Sequence, residues 1–207
     1  MMLNRLRGFL DLPSARPVKY LTEVQAERLD EAFRRWADVP PGPRRRVRGR
    51  YFIVYLTLRL TGARIGEVLM VDDTSDIDFR EQMIRLPNLK RHKHKGEVRW
   101  VPVPASLIGE IAVYLTEHPE MRGKLFKLDD RNFRRTFEKI ALEAGLPRDL
   151  AHPHILRHTR AVELLKRGVP VAAVQALLGH ASLATTAAYL RLSGQDIKTI
   201  LRDRGLL

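Results

Sequence analysis

Between Asp76 and Pro104 the apolar residues alternate, whereas on either side they recur at helical spacing. "DIDF", "MIRLP" and "EVRWVPVP" are short, rich in branched and aromatic residues, and separated by turn-like segments. They read as a small antiparallel sheet, and the rest of the chain has to be built from helices. Thr22 with Gln25 makes a capping box ahead of Ala26, Leu29, Phe33 and Ala37. An apolar helix from Tyr51 stops at Thr61–Gly62, and a short one follows through Leu69. Beyond Pro104 the boundaries are punctuated by proline and glycine. Asp129 or Asp130 caps a helix bearing Phe133, Phe137, Ile140 and Ala144, which Gly145 stops. Pro153 opens a helix that Gly168 closes, and Pro170 opens one that Gly179 closes. Ser182 caps a further helix carrying Tyr189, and a last one runs from about Gln195 to Arg204. "VPPGPRRRVRGR", residues 39–50, reads as a basic loop. The fold class is therefore mainly α with a small antiparallel β-sheet (α+β), in one domain over residues 20–207. Residues 1–19 form an N-terminal segment or linker, too short to fold alone, that reads as the end of something preceding it.

Charge narrows the partners. The 207 residues carry 37 Lys and Arg against 24 Asp and Glu, a net charge of +13. Such an imbalance favours polyanionic partners, such as nucleic acid or an acidic membrane surface. Cysteine is absent, which removes disulfides, thiol nucleophiles and cysteine-based metal sites. The most apolar run, "YFIVYLTLRLTG", is too short for a bilayer and is broken by Arg59. The first residues lack the apolar core of a signal peptide. These features predict a soluble, cytoplasmic chain that no membrane span anchors.

Four places hold side chains suited to chemistry, and each has an ordinary alternative. His154 and Arg157 in "HPHILRHTR" lie three apart on a helix and project from one face, which suits an anion or simply a solvated basic surface. Arg64, in "TGARIGEV", follows a helix-ending glycine. Its guanidinium fork can be aimed at a phosphate, or paired with Glu67 one turn on. His180 stands at a corner directly after Gly179. Tyr189, in "LLGHASLATTAAYLRL", sits among small and apolar residues where a tyrosine usually fills space. With a free pKa of about 10, roughly one tyrosine in a thousand is ionised at neutral pH, so reactivity needs a base or cations nearby.

Taken in order, these segments resemble the catalytic domain of the tyrosine recombinase (phage integrase) family. Thr61, Gly62, Arg64 and Glu67 match its "TG-x-R-x-x-E" stretch. His154, Leu156, Arg157 and His158 match "H-x-L-R-H". Leu178, Gly179 and His180, followed nine residues later by Tyr189, match "LGH" and the tyrosine. The resemblance extends from about residue 20 to the end. It implies site-specific recombination of double-stranded DNA through a 3′-phosphotyrosyl intermediate, without cofactor or metal. Arg64 and Arg157 would neutralise the phosphate, His154 would assist Tyr189, His180 would donate to the phosphate, and Tyr189 would attack. A lysine on the sheet hairpin would protonate the leaving oxygen. "NLKRHKHKG" offers Lys90, Lys93 and Lys95, and Lys90 is the preferred candidate, leaving Lys93 and Lys95 as DNA contacts with Arg44, Arg45, Arg46, Arg131, Arg134 and Arg135. By the same resemblance the C-terminal tail would dock on a neighbouring protomer and build a homo-oligomer, a tetramer on DNA, or would fold back onto its own domain; weak, salt-sensitive DNA binding is a further expectation. Two rivals stay open: type IB topoisomerase activity, and a non-catalytic helix-turn-helix DNA-binding protein built on "VPVAAVQALLGHASLATTAAYL".

Overall fold

The computed structural model describes residues 18–38, 43–88 and 97–179, together with Tyr189 and Arg202. The expected mixture is present: seven α-helices and a three-stranded antiparallel sheet among the described residues. Helix α1 (Glu23–Ala37) opens with the expected capping box, Thr22 Oγ1 accepting from the Gln25 amide and the Gln25 side chain accepting from the Thr22 amide. Helix α2 spans Pro43–Thr61 and α3 Ile65–Val68. Strands β1 (Ile77–Asp78), β2 (Met83–Pro87) and β3 (Val98–Pro102) follow in sequence order. Then come α4 (Ala105–Glu117), α5 (Asp130–Glu143), α6 (His154–Lys166) and α7 (Val171–Leu178). Asp129 caps α5 by accepting from the Asn132 amide, and Gly145, Gly168 and Gly179 take up positive φ where helices end.

One expectation needs correction. The basic run Arg44–Arg50 is helical, the first turns of α2. Proline at the first helical position has no amide to satisfy and a φ already set for the helix. Arginine is itself a good helix former, and the helix gives these side chains partners. Arg48 donates to the Trp36 carbonyl at 2.9 Å, and Arg50 reaches the carbonyls of Lys124 and Lys127 at 2.6 and 2.7 Å. Arg45 and Arg46 pair at the surface with Glu117 and Glu120, contacts worth under about 1 kcal/mol each.

The main core lies between α1, α2 and α5, where the Phe33 ring stacks on Tyr55 with centroids 3.8 Å apart and Phe137 closes the group. The sheet adds Ile84, Leu86 and Val101 to this core and turns Val98 and Trp100 outward. Its β2–β3 register pairs Met83 with Pro102 and Pro87 with Val98, and Asn88 donates to the Glu97 carbonyl at 2.9 Å. A second, smaller cluster gathers Ala161, Val162, Leu165, Val174, Leu178 and Tyr189. Helix α6 belongs to both, with Ile155 and Leu156 in the first and Ala161, Val162 and Leu165 in the second. Arg59 of α2 holds α6 in place by a two-pronged pair with Glu163, at 2.7 and 2.9 Å.

Candidate active site

Arg64 is positioned by the end of α2. Gly62 breaks the helix with φ +66°, and a side chain there would meet Leu178 Cδ2 at 2.6 Å and Arg160 at 3.2 Å. The chain then turns through Ala63 to Arg64, the residue preceding α3. The Arg64 amide donates to Glu67 Oε2 at 3.0 Å and its Nη1 to Glu67 Oε1 at 2.8 Å. Glu67 is fully buried. Burial alone would raise its pKa, but hydrogen bonding and charge from Arg99, then from Arg64, bring it below the ordinary carboxylate value. Pairing with Glu67, one of the two roles open to Arg64 in the sequence, is thus present, and it also orients the guanidinium.

Arg157 projects from the first turns of α6 into the same region and is 2% exposed. Its Nη1 donates to the Gly62 carbonyl at 2.9 Å, while its Nη2 is buried without a hydrogen-bond partner. Leaving such a donor unsatisfied is costly in a folded protein and marks a place where an acceptor belongs. Burial, then the neighbouring charge of Arg64, pulls Arg157 down to about 10, so it stays cationic at neutral pH.

Tyr189 does pack: it is 2% exposed and part of the smaller core. Its hydroxyl nevertheless meets a base, lying 2.7 Å from His158 Nδ1. Sequence reasoning gave that place to His154. In the structure His154 lies one turn earlier on α6 and touches the His158 ring edge-on, centroids 4.5 Å apart. Burial, followed by the charges of His152 and Arg157, holds His158 at about 4. A neutral ring can accept the hydroxyl proton in the tautomer that carries its own proton on Nε2. His154 is pushed down as well, by packing first and then by His158, Arg157, His152 and Arg64; one side of it stands in water, which screens part of that effect. Tyr189 is raised by burial, with Arg157 and Arg64 pulling the other way.

The depression of His158 makes stability depend on pH. Its folded-state pKa lies below the unfolded value of about 6.5, so the unfolded chain takes up a proton that the folded protein refuses. The contribution is present above about pH 6.5 and is lost as pH falls towards about 4. The ring's share is about 3 kcal/mol by linkage. Urea unfolding at pH 7 and pH 4.5 is expected to show the wild type losing more stability than His158→Gln. Equal losses in the two proteins would contradict this origin.

Arg99, which the sequence reading passed over, completes the cluster. It lies on β3 between the outward Val98 and Trp100, on the inward side with Val101. An arginine on the buried face of a strand was the signal available. Its Nη2 donates to Glu67 Oε2 at 2.7 Å, its Nη1 to Asn88 Oδ1 at 2.8 Å and its Nε to the Leu177 carbonyl at 2.9 Å. Among the other candidates, Arg131, Arg134 and Arg135 line a shallow surface hollow with Asp129, Asp130 and Asn132, and Arg134 pairs with Asp130 at 2.8 Å. His152 is held below its ordinary value by burial first, with the charge of Arg134 at that basic end of α5 adding to it. Lys90, Lys93, Lys95 and His180 lie outside the described residues, as do the helices expected to start at Ser182 and Gln195, apart from Tyr189 and Arg202. No group of His, Asp and Glu among the described residues has metal-binding geometry, and no helix among them is long and apolar enough to cross a membrane.

The chain as a whole has known counterparts. Residues 19–195 match the phage integrase family. The tyrosine recombinase XerA of Pyrococcus furiosus is 30% identical over 205 residues, covering 95% of this chain and 65% of that protein. A putative integrase/recombinase of Sinorhizobium fredii, y4gC, is 34% identical over 151 residues, 69% of this chain and 76% of that one. Among solved structures, the XerH site-specific recombinase bound to its difH substrate in a pre-cleavage complex superposes with a TM-score of 0.66 at 25% identity, over 83% of this chain and 50% of that one. The chain thus spans about two thirds of the length of the XerA protein it matches. With the family matched across most of its length and the arginines and tyrosine brought to one place, the chain belongs to the phage integrase family, the tyrosine recombinases.

Proposed function

We propose that residues 20–207 form the catalytic unit of a site-specific DNA recombinase that cuts and rejoins strands through Tyr189. The observation that carries this reading is the Tyr189 hydroxyl, 2.7 Å from His158 Nδ1, next to a buried arginine with an unused donor. The scissile phosphodiester binds between Arg64 and Arg157, with the free Nη2 of Arg157 taking a non-bridging oxygen. His158 accepts the phenolic proton as the Tyr189 oxygen attacks phosphorus. The bond to the 5′-oxygen breaks, giving a 3′-phosphotyrosyl link and a 5′-hydroxyl. A hairpin lysine, Lys90 by resemblance, supplies the proton that the leaving oxygen needs. His180, also by resemblance, donates to the phosphate, and His154 braces His158 and adds a donor beside it. The new ester keeps the energy of the old one, so a 5′-hydroxyl can reverse the reaction without a nucleotide cofactor. Positive charge preorganised where the pentavalent intermediate gains negative charge is the main source of rate.

The same reading assigns Arg44, Arg45, Arg46, Lys93, Lys95, Arg131, Arg134 and Arg135 to the phosphate backbone, where they add affinity and salt dependence. Double-stranded DNA is the partner in this reading, which the likeness to a site-specific recombinase bound to its difH substrate supports. A homo-oligomer on DNA joined by the C-terminal tail completes the proposal.

Because the target sequence is open, the test uses a pool of nicked duplexes with randomised flanks. Cleavage beside the nick releases a short fragment and traps the enzyme. A protein–DNA adduct that survives denaturant, with one DNA sequence enriched in it, is the expected result. A protein that binds the pool but never forms an adduct would instead be a DNA reader without chemistry.

A further inference from the structure

We propose that Arg99 is a positioning residue that clamps three chain segments around the phosphate site and keeps Arg64 electrostatically available; this rests on the strand-transfer reading above. Each of the three guanidinium nitrogens of Arg99 donates a hydrogen bond within the protein, at 2.7 to 2.9 Å. What matters is where these bonds go. Asn88 is the last described residue before the connection that holds Lys90, and Leu177 lies in the last turn of α7, two residues before Gly179 and three before His180. Glu67 is the carboxylate that orients Arg64. One side chain therefore joins the hairpin, the α7 corner and the α3 arginine, from partners 11, 78 and 32 residues away in sequence.

The fit is close. A side chain at Gly179 would meet Asn88 Oδ1 at 2.8 Å and Arg99 Nη1 at 3.0 Å, so the guanidinium lies against bare backbone. The Leu177 carbonyl lies in the last turn of α7, where intrahelical amides run out, and Arg99 Nε donates to it at 2.9 Å. A lysine has a single point of attachment and cannot reproduce this three-way fork.

Charge gives Arg99 a second effect. Glu67 is shared by two guanidinium groups, so the trio carries a net positive charge. Without Arg99, Glu67 would be left with Arg64 alone, and that pair is neutral. The phosphate would then face Arg157 with little help from Arg64, although Arg64 itself is unchanged.

The experiment compares wild type, Arg99→Met and Arg99→Lys with the trapped substrate selected above, each held well below its own melting temperature. Single-turnover adduct formation at saturating DNA is expected to fall about a hundredfold in Arg99→Met and about tenfold in Arg99→Lys. DNA affinity, set by many phosphate contacts, should stay within about threefold. A protein that had merely lost stability would lose binding and cleavage together, in proportion to its unfolded fraction. A second readout is independent of cleavage. Inorganic phosphate is titrated against the histidine ring resonances, and half-saturation is expected at several-fold higher phosphate in Arg99→Met. If wild type forms no adduct, the strand-transfer reading fails and the phosphate titration alone decides on the clamp. If Arg99→Met does not fold, Arg99→Lys carries both measurements. Wild-type cleavage rate together with wild-type phosphate half-saturation in the folded variants would overturn the proposal.

Discussion

Tyr189→Phe is expected to abolish the denaturant-resistant adduct completely while leaving DNA affinity within about twofold. The substitution removes one oxygen and little else. The ring keeps its place in the cluster with Leu165, Val174 and Leu178, and the lost contact to His158 is a single hydrogen bond, worth about 1 kcal/mol net. No described neighbour of that hydroxyl is a substitute nucleophile: His158 lies on the side that must accept a proton, and Arg157 and Arg64 are cations. Adduct formation and DNA binding, measured side by side by denaturing gel and by fluorescence anisotropy, separate the strand-transfer enzyme from the helix-turn-helix reader. If the phenylalanine variant still formed the adduct, the nucleophile would lie elsewhere and the assignment of Tyr189 would fall.

Arg157→Lys carries the second large effect. Lysine keeps the positive charge and can still reach the Gly62 carbonyl, which Arg157 Nη1 holds at 2.9 Å. It cannot also supply the second, rigidly placed donor that Arg157 presents at Nη2. Removing one preorganised donor aimed at developing charge typically costs about 10²–10³ in rate. A drop of that size in single-turnover cleavage is expected, with melting temperature close to wild type because the charge and the Gly62 contact remain. A loss under tenfold would mean that the second nitrogen does not bind the phosphate in the transition state. Arg157→Ala is a poorer probe, since it also strands the Gly62 carbonyl in a buried position and opens a cavity.

The parts of this fold that local rules govern could be read from the sequence. Thr22 with Gln25, Asp129, Pro153 and the glycines at 145, 168 and 179 each set a helix end through chemistry confined to a few neighbours. The start of α2 was misread because "PPGP" resembles a loop, yet Pro43 is compatible with a first helical turn, and the partners of Arg48 and Arg50 lie far along the chain. The site divides in the same way. Arg64 and Arg157 were legible by resemblance and are brought to one place. Which of two histidines meets Tyr189 depends on how α6 is rotated against a residue 31 positions away, and one turn of helix changes the answer. Arg99 was hidden for a related reason: its bonds to Glu67 and Leu177 reach 32 and 78 residues along the chain, and within "EVRWVPVP" it resembles an ordinary strand residue.

The division of the interior into a large core and a small one has a consequence for how such a molecule fails. The arginine cradle is anchored chiefly in the large core through α2, α3 and the start of α6, whereas Tyr189 is seated in the small one. A cluster with fewer apolar contacts opens at a lower free energy than the body it leans on. Heat, denaturant or an unlucky substitution is therefore expected to free the seat of Tyr189 while the arginine cradle is still intact.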